Sequence, residues 1–536
     1  MECHCIPNRE IPHTTRLYSA FTDEFSKVAD YYAHPPSEAG VRAAAKKARV
    51  AAEILSAVAG ILREQNRRFG NGDAAERNID RLAGGAVAIV TGQQTGLFGG
   101  PAYSFYKALS AIEWSARLTR AGITAVPVFW LATEDHDLAE VNHVFFHSKQ
   151  GLSKIELPEE NEFAGRSVGR IPLGKMAAAA VGHARQFLEG PASKELGEAL
   201  SASYGEQETY GSAFAKLFAR LLGNKGLILL DPLDKRFHEL ARPVYRRAAE
   251  ESETITDELL ARGRLLDRRG FHAQVKVTSQ STLLFLDVEG KRQAVRRRNG
   301  DFLAGEKKLS PAELLGEIDK RPESISASVL LRPVVQDSLL PTAAYIGGPA
   351  EVAYMAQAQT VYQRILGRMP AIVARPSFTI VEPETARLLK KYGFEFGGIL
   401  RGRQHVRRQM EREYMPSGLA TRFSRDEKAL RKILKGYANP LAKLDKTLGG
   451  ALGTAERKMM CQFERLREKA GRAQNFRTGV LDRHEGQILN SLFPNHGLQE
   501  RTLSLLPILA RQGDELQEVL LKTMSKPCAG HHVVFV

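Results

Sequence analysis

Apolar residues recur at helical spacing through the first eighty positions. Between Val41 and Phe69, Val50, Ile54, Ala57, Val58 and Ile61 mark one face of a helix rich in Ala, Lys, Arg and Glu, and Gly70 and Gly72 close it. Ala86–Val90 is a short, wholly apolar run of the kind found in buried parallel strands. A Gly-rich turn follows, then a helix from Ser104 to Leu118 and a second apolar strand, Ala125 to Ala132. Strand, loop, helix, strand is a βαβ unit, right-handed by chain sterics. Gly226–Pro232 starts another strand-to-helix step that runs to Glu250.

From Gln274 to Arg298 the pattern becomes that of alternating strands, and Asn299-Gly300 predicts a tight hairpin. Ser310-Pro-Ala-Glu313 carries a capping Ser, Pro at the first helical position and Glu three residues on, so a helix starts there. Pro341–Ile346 reads as a strand, Gly347-Gly-Pro349 as a turn, Ala350–Leu366 as a helix and Ala371–Val381 as a last strand. Beyond Glu384, Leu441, Leu444, Leu448, Ala451, Ala455, Met459, Phe463, Leu466, Ala470 and Ala473 follow three- and four-residue steps, with a stutter at Met459. This predicts a long helical hairpin or coiled coil ending near Leu492-Phe-Pro494, serving as a dimer contact or a lid. The pattern defines an α/β core over 1–382 and a helical unit over 383–536.

A chain of 536 residues exceeds one compact core, which agrees with that division. Apolar content of 43% and charged content of 26% are those of a globular protein rather than a disordered one. No apolar run approaches the roughly 20 residues of a membrane span. The first residues lack the apolar stretch of a secretory signal, so a cytoplasmic location is expected. Four cysteines predict free thiols in a reducing compartment. Cys3-His-Cys5, near a terminus read as mobile, and His531-His532 lack the paired spacing of a zinc site, so no metal is assigned. The net charge of +15 invites nucleic acid, but acidic residues are interspersed and no Lys/Arg block stands alone.

Two segments carry candidate chemistry. Thr91-Gly-Gln-Gln-Thr-Gly-Leu-Phe-Gly-Gly-Pro101 lies between a strand and a helix, where backbone N–H groups and the helix dipole favour an anion. Thr91, Gly92, Gln93, Gln94, Gly96, Gly99, Gly100 and Tyr103 are nominated there, with Lys107 one turn into the helix as an anion partner. The spacing is neither that of a dinucleotide fingerprint nor that of a P-loop. Glu134-Asp-His-Asp137 ends the next strand and faces the same crevice. His136 is the acid/base candidate, and Glu134 and Asp135 could orient it, hold Mg²⁺ or accept a proton. Asp137 with Glu140 is read as a helix cap, and Asn142 as a supporting polar group; His143 is placed on a helix. Tyr345, Gly347, Gly348, Pro349, Glu351 and Tyr354 form a second strand–turn–helix wall, with Arg332, Gln336 and Asp337 as further polar candidates.

These residues carry a resemblance. TGQQTGLFGGPAYSFYK, PVFWLATEDHDLAEVNHVFF, GGPAEVAYMAQ, LFPNHGLQER and the terminal HHVVFV are similar to the bacillithiol-biosynthesis cysteine-adding enzyme family, the cysteine ligase of that pathway. The resemblance runs through nearly the whole chain. It implies a Rossmann-like parallel-sheet core with connecting segments, plus a C-terminal α-helical coiled-coil domain, usually dimeric. It also implies a last pathway step that joins cysteine through its carboxyl group to the amine of glucosaminyl-malate. The family core resembles nucleotidylyltransferase folds, but their H-x-G-H motif is absent here. A free carboxylate and an amine do not condense readily in water, so an activated donor is expected, ATP with Mg²⁺ among the candidates. Cysteine and glucosaminyl-malate are the expected partners, with a homodimer through the coiled coil and no nucleic acid or membrane. Two rival readings stand beside it: a nucleotidyl- or adenylyl-transferring enzyme acting on another acid, and a basic coiled-coil protein binding nucleic acid.

Overall fold

The computed structural model describes residues 3–148, 151–159, 161–414, 417–526, 528 and 530–536. Its centre is a sheet of five parallel strands: β1 (Val87–Gln93), β2 (Ala125–Leu131), β3 (Ile228–Leu230), β4 (Thr342–Gly347) and β5 (Ala371–Ala374). Their spatial order is β5-β4-β1-β2-β3. The strands are apolar throughout because both faces are covered. Along them, Ala88, Val90, Val126, Val128, Trp130, Ile228 and Leu230 enter one core cluster. Phe129, Leu131 and Leu229 alternate into another. The chain runs outward from β1 to β3 and then returns to lay β4 beside β1. That reversal opens a crevice beyond the carboxyl ends of β1 and β4.

The helix Tyr103–Arg120 makes the crossover from β1 to β2. Between β3 and β4 the chain inserts four α-helices (Lys235–Glu250, Ser252–Arg268, Pro311–Lys320 and Arg332–Leu339) and the strands of a second five-stranded sheet. In that sheet Lys291–Arg298 turns through Asn299 (φ 52°) and Gly300 (φ 83°) into Asp301–Ala304, the predicted hairpin. Ser310 caps the helix Pro311–Lys320 with the reciprocal Glu313 bond, also as predicted. The alternating region begins its first strand only at Ser281, so residues 274–280 are irregular.

Three further expectations are corrected. The strand read as Ala371–Val381 is two strands: after Arg375-Pro376, Ser377–Val381 leaves the central sheet and joins a three-stranded one. Proline has no N–H to give the ladder, so the pairing breaks there. His143 begins a strand, His143–Ser148, rather than lying on a helix; Asp137 caps only the short turn Leu138–Glu140. The cysteines are not all free thiols, for Cys5 is bonded to Cys528, while Cys3 and Cys461 are unpaired. Cys3–Ile6 is a strand running antiparallel to His531–Phe535, which brings together residues 523 apart in sequence. In that sheet His531 meets Ser377 Oγ and Thr379 Oγ1 through its two ring nitrogens, so it serves the sheet rather than a metal.

The helical unit contains Arg403–Glu413, Ser417–Gly436, Leu448–Thr478 and Val480–Leu492, the last ending where Leu492-Phe-Pro494 predicts. The predicted stripe is buried only in part: Leu444, Ala451, Met459, Leu466 and Ala473 are exposed, and the buried methionine is Met460. Phe463 meets Phe423 edge-on at 5.3 Å. At Gly471 a Cβ would stand 1.9 Å from the Glu411 carbonyl oxygen, so only glycine lets these helices approach so closely. Among the described residues no helix is long and apolar enough to cross a membrane.

One buried ion pair ties the sheet to the C-terminal segment. Arg375, directly after β5, donates both terminal nitrogens to Glu500 at 2.9 and 2.6 Å. Glu500 also accepts from Ser377 Oγ and the Phe378 N–H. Burial opposes the Glu500 charge, but Arg375 outweighs it and holds the carboxyl below its usual range. A depressed carboxyl adds stability that is present at neutral pH and lost as pH falls through its folded-state value. Glu500→Ala strands the guanidinium and should cost about 3–5 kcal/mol in thermal or urea unfolding. The deficit should shrink towards acid pH, where the native carboxyl is itself protonated. A deficit constant with pH would contradict this account.

Candidate active site

The crevice at the β1/β4 reversal is a cleft of about 1110 Å³. Its floor comes from the carboxyl ends of β1 and β2 and the start of the helix Pro349–Ile365. Its far wall is residues 274–285 with Arg292 and Arg296 of the inserted sheet. Gly92, Gln93, Gln94, Tyr103, Lys107, Glu134, Asp135, His136, Gly348, Glu351 and Tyr354 line it, as do Tyr345, Pro349 and Arg332. Gly92 is required by packing, since a Cβ would meet the Trp130 carbonyl oxygen at 3.0 Å.

The remaining nominated residues lie outside the cleft. Thr91 is buried and donates its hydroxyl to the Ile346 carbonyl, joining β1 to β4. The loop at Gly96, Gly99 and Gly100 closes on itself: their N–H groups go to Gln94, Gly96 and Leu97 carbonyls. Gly99 also donates to the Tyr204 hydroxyl. The expected backbone anion cradle is therefore absent at these three glycines. Gly347 ends β4 without lining the cleft, and Asn142 is buried and donates to the Leu157 carbonyl. Gln336 and Asp337 are buried away from it, with Asp337 accepting from Tyr362 at 2.5 Å.

Lys107 does not reach for a ligand. Its Nζ donates to the Gly92 carbonyl (2.8 Å) and Gln93 Oε1 (2.7 Å), and pairs with Glu351 Oε2 at 2.5 Å. An ammonium has three protons, and these three acceptors use them. Glu351 is equally occupied, accepting from Tyr345 Oη (2.6 Å) and the Gly348 N–H (2.7 Å). Burial works against the Glu351 charge, and Lys107 with these donors holds it below the usual carboxylate range. The pair joins the helices that follow β1 and β4 and forms the floor beyond the ends of those strands.

Among the described residues the cleft cations Lys276, Arg296, Arg332 and Arg501 have no carboxylate partner. Arg332 donates to the Tyr345 and Tyr354 hydroxyls and lies over the Trp130 and Tyr345 rings. Arg501 lies 5.9 Å from the Tyr103 ring and comes from the far end of the chain. The LFPNHGLQER motif contains Arg501, and that was the available signal; Arg292 sits in a hairpin with none.

Glu134-Asp-His-Asp137 is divided in its work. Asp135 is a fastener: it accepts from Gln94 Nε2 at 2.8 Å and from the His136 N–H at 2.8 Å. His136 is half-exposed, and Arg292 approaches its Nδ1 at 3.3 Å. Asp135 Oδ1 lies 3.6 Å from the same nitrogen, so Nδ1 sits between a guanidinium and a carboxylate while Nε2 is free of both. Glu134 is nearly buried, its Oε1 without a hydrogen-bond partner, and burial pushes its carboxyl up against the pull of His238 and Arg292. It is the basic oxygen pair of the cleft. Among the described residues no three His, Cys, Asp or Glu side chains gather as metal ligands.

A parallel sheet with a charged cleft at its chain reversal and an appended helical unit defines a Rossmann-like ligand-handling protein. Residues 1–376 match the family model for the bacillithiol biosynthesis BshC N-terminal Rossmann-like domain, and residues 378–536 that for the BshC C-terminal coiled-coil domain. The chain belongs to the BshC family of bacillithiol biosynthesis. It is 39% identical to "Putative cysteine ligase BshC" of Koribacter versatilis over 99% of both chains. It is 35% identical to the same-named protein of Solibacter usitatus over the full length of both, and 31% identical to that of Chlorobaculum tepidum over 97% and 94%.

The floor makes a double-mutant prediction. Lys107→Met leaves Glu351 charged, buried and short of its cation, and should lower unfolding stability by about 3–5 kcal/mol. Adding Glu351→Gln should recover much of the loss, because the amide needs no counter-charge. Additive losses in urea titrations would show that the two side chains do not interact.

Proposed function

We propose that this chain is an amide-forming ligase that joins cysteine, through its carboxyl group, to the amine of glucosaminyl-malate in the last step of bacillithiol assembly. Residues 1–382 are the catalytic unit and 383–536 the helical one, working in the cytoplasm. The relatives' printed names support the cysteine ligase class. The observation that carries the chemistry is Glu134, a nearly buried carboxylate lining a cleft in which Lys276, Arg296, Arg332 and Arg501 have no carboxylate partner. At about 1110 Å³ the cleft exceeds the roughly 300–1,000 Å³ of a single-ligand pocket, so two small molecules fit.

The amine lone pair forms the C–N bond to the activated carboxyl carbon, and the leaving group departs with its bonding electrons. The nitrogen then gives its extra proton to Glu134. A carboxyl pushed up by burial is a stronger base than a free one, which suits it to that transfer. His136 Nε2–H and Arg332 meet negative charge developing on oxygen, and Arg501 meets a substrate carboxylate. The donor that activates the carboxyl is supplied in the test as ATP·Mg²⁺. The exposed Leu444, Met459 and Leu466 support pairing of two copies through the helical unit.

Purified protein given glucosaminyl-malate, cysteine and ATP·Mg²⁺ should form the cysteinyl amide, read by mass spectrometry. Glu134→Gln should lower turnover by about a hundredfold or more, the range of general-base loss. His136→Ala should lower it by about a hundredfold, as for loss of one donor. Wild-type turnover in Glu134→Gln would remove Glu134 as the base, and no amide from the wild type would remove the ligase reading.

A further inference from the structure

Behind Glu134 the cleft wall holds two titratable side chains that the reaction above leaves unused. His238 and Tyr245 lie on the helix Lys235–Glu250, two turns apart and so on one face, and both are buried. Tyr245 Oη stands 3.3 Å from His238 Nδ1. On the other side His238 Nε2 faces Glu134 Oε1 at 3.6 Å. Each of these two atoms is sealed from solvent and without a hydrogen-bond partner. Leaving one such atom unmet costs about 1–3 kcal/mol, so two that face each other just outside bonding distance are under pressure to close.

The direction of the bond follows from the neighbours. With the Tyr245 hydroxyl donating to Nδ1, the ring proton resides on Nε2 and points at the carboxylate. The opposite tautomer would set a nitrogen lone pair against a carboxylate oxygen. Glu134 is also faced by Arg292 from the inserted sheet, by Arg332 from the helix Arg332–Leu339 and by Asp231 from the end of β3. The arginines are engaged elsewhere, Arg292 with Ser326, Ala327 and His136, Arg332 with Tyr345 and Tyr354. Asp231 is held by Thr133 at 2.5 Å and by the Leu233 N–H. His238 is the group whose free nitrogen is aimed at the Glu134 carboxylate.

We propose that His238 is a positioning residue for the ligation: with its tautomer set by Tyr245, its Nε2–H closes onto Glu134 Oε1 and keeps that carboxylate ionised and oriented for the amine proton. The inference rests on the ligase reading for its kinetic consequence but not for the contact itself. A bond to the charged form favours it, so removing the donor raises the Glu134 carboxyl and moves the acid limb of turnover to higher pH.

Two measurements separate the possibilities. In the amide-forming assay, His238→Leu should move the acid limb of kcat up by about one pH unit. It should also lower kcat at neutral pH by about tenfold, the scale of lost ligand support, with KM for the amine within about twofold. His238→Gln, whose amide N–H can replace Nε2–H, should restore the wild-type limb, which a merely space-filling histidine would not predict. A superimposable His238→Leu profile, or a glutamine no better than leucine, overturns the inference. In parallel, ¹⁵N-histidine spectra of the full chain, with the His238 signal identified by its loss in His238→Gln, need no turnover. Glu134→Gln and Tyr245→Phe should each shift that signal, and an unmoved signal overturns the contact. Shifts in the spectra together with no amide from the wild type would overturn the ligase reading alone.

Discussion

Lys107 and Glu351, from the helices that follow β1 and β4, meet beyond the carboxyl ends of those paired strands. A chain reversal in a parallel sheet sends the two connections to opposite sides and leaves a crevice over the strand ends, and this pair forms its floor. Three acceptors use the ammonium's three protons, and the carboxylate takes bonds from Tyr345 and Gly348 as well as from Lys107. The two charges cancel within the floor. The cleft's cations without a carboxylate partner stand on its walls, at Lys276, Arg296, Arg332 and Arg501, and Glu134 is the base we propose.

That division explains how far the site could be read from the chain. The strands announced themselves as apolar runs, and a strand end is where an α/β sheet binds ligands, so Gln93, Gln94 and Glu134–His136 fall on the cleft. The glycine loop misled for a physical reason. Glycine permits tight turns whether or not a ligand is present, and here the turn spends its own N–H groups on its own carbonyls. Lys107 misled similarly, because sequence shows a cation near a strand end but not the carboxylate 244 positions later that claims it. Arg292, His238 and Arg501 arrive from a hairpin, a crossover helix and the C-terminal segment, and no local pattern links them to β2.

The helical unit shows the same limit. Its helices were legible from spacing, yet half of the apolar stripe, Leu444, Ala451, Met459, Leu466 and Ala473, is exposed, and Met460 is buried in place of Met459. Spacing alone cannot choose between neighbours of equal hydrophobicity, nor show where helices come close, as at Gly471 and at the Phe423–Phe463 contact. Arg375-Pro376 marks another boundary hidden in plain view. An apolar stretch that looks continuous is cut by one missing N–H, and the guanidinium beside it is held by Glu500 instead.

The bond between Cys5 and Cys528 has a topological effect that differs from any contact in the folded state. It makes the covalent chain a ring enclosing almost every residue, sheet and helical unit alike. A ring has fewer ways to be disordered than an open chain, so closing it weighs on the denatured ensemble while leaving the cleft untouched. The two matched regions, 1–376 and 378–536, are thus joined twice along the covalent path, once through Pro376-Ser377 and once through sulfur. A single backbone cut in an exposed loop between Cys5 and Cys528 would leave the molecule in one piece.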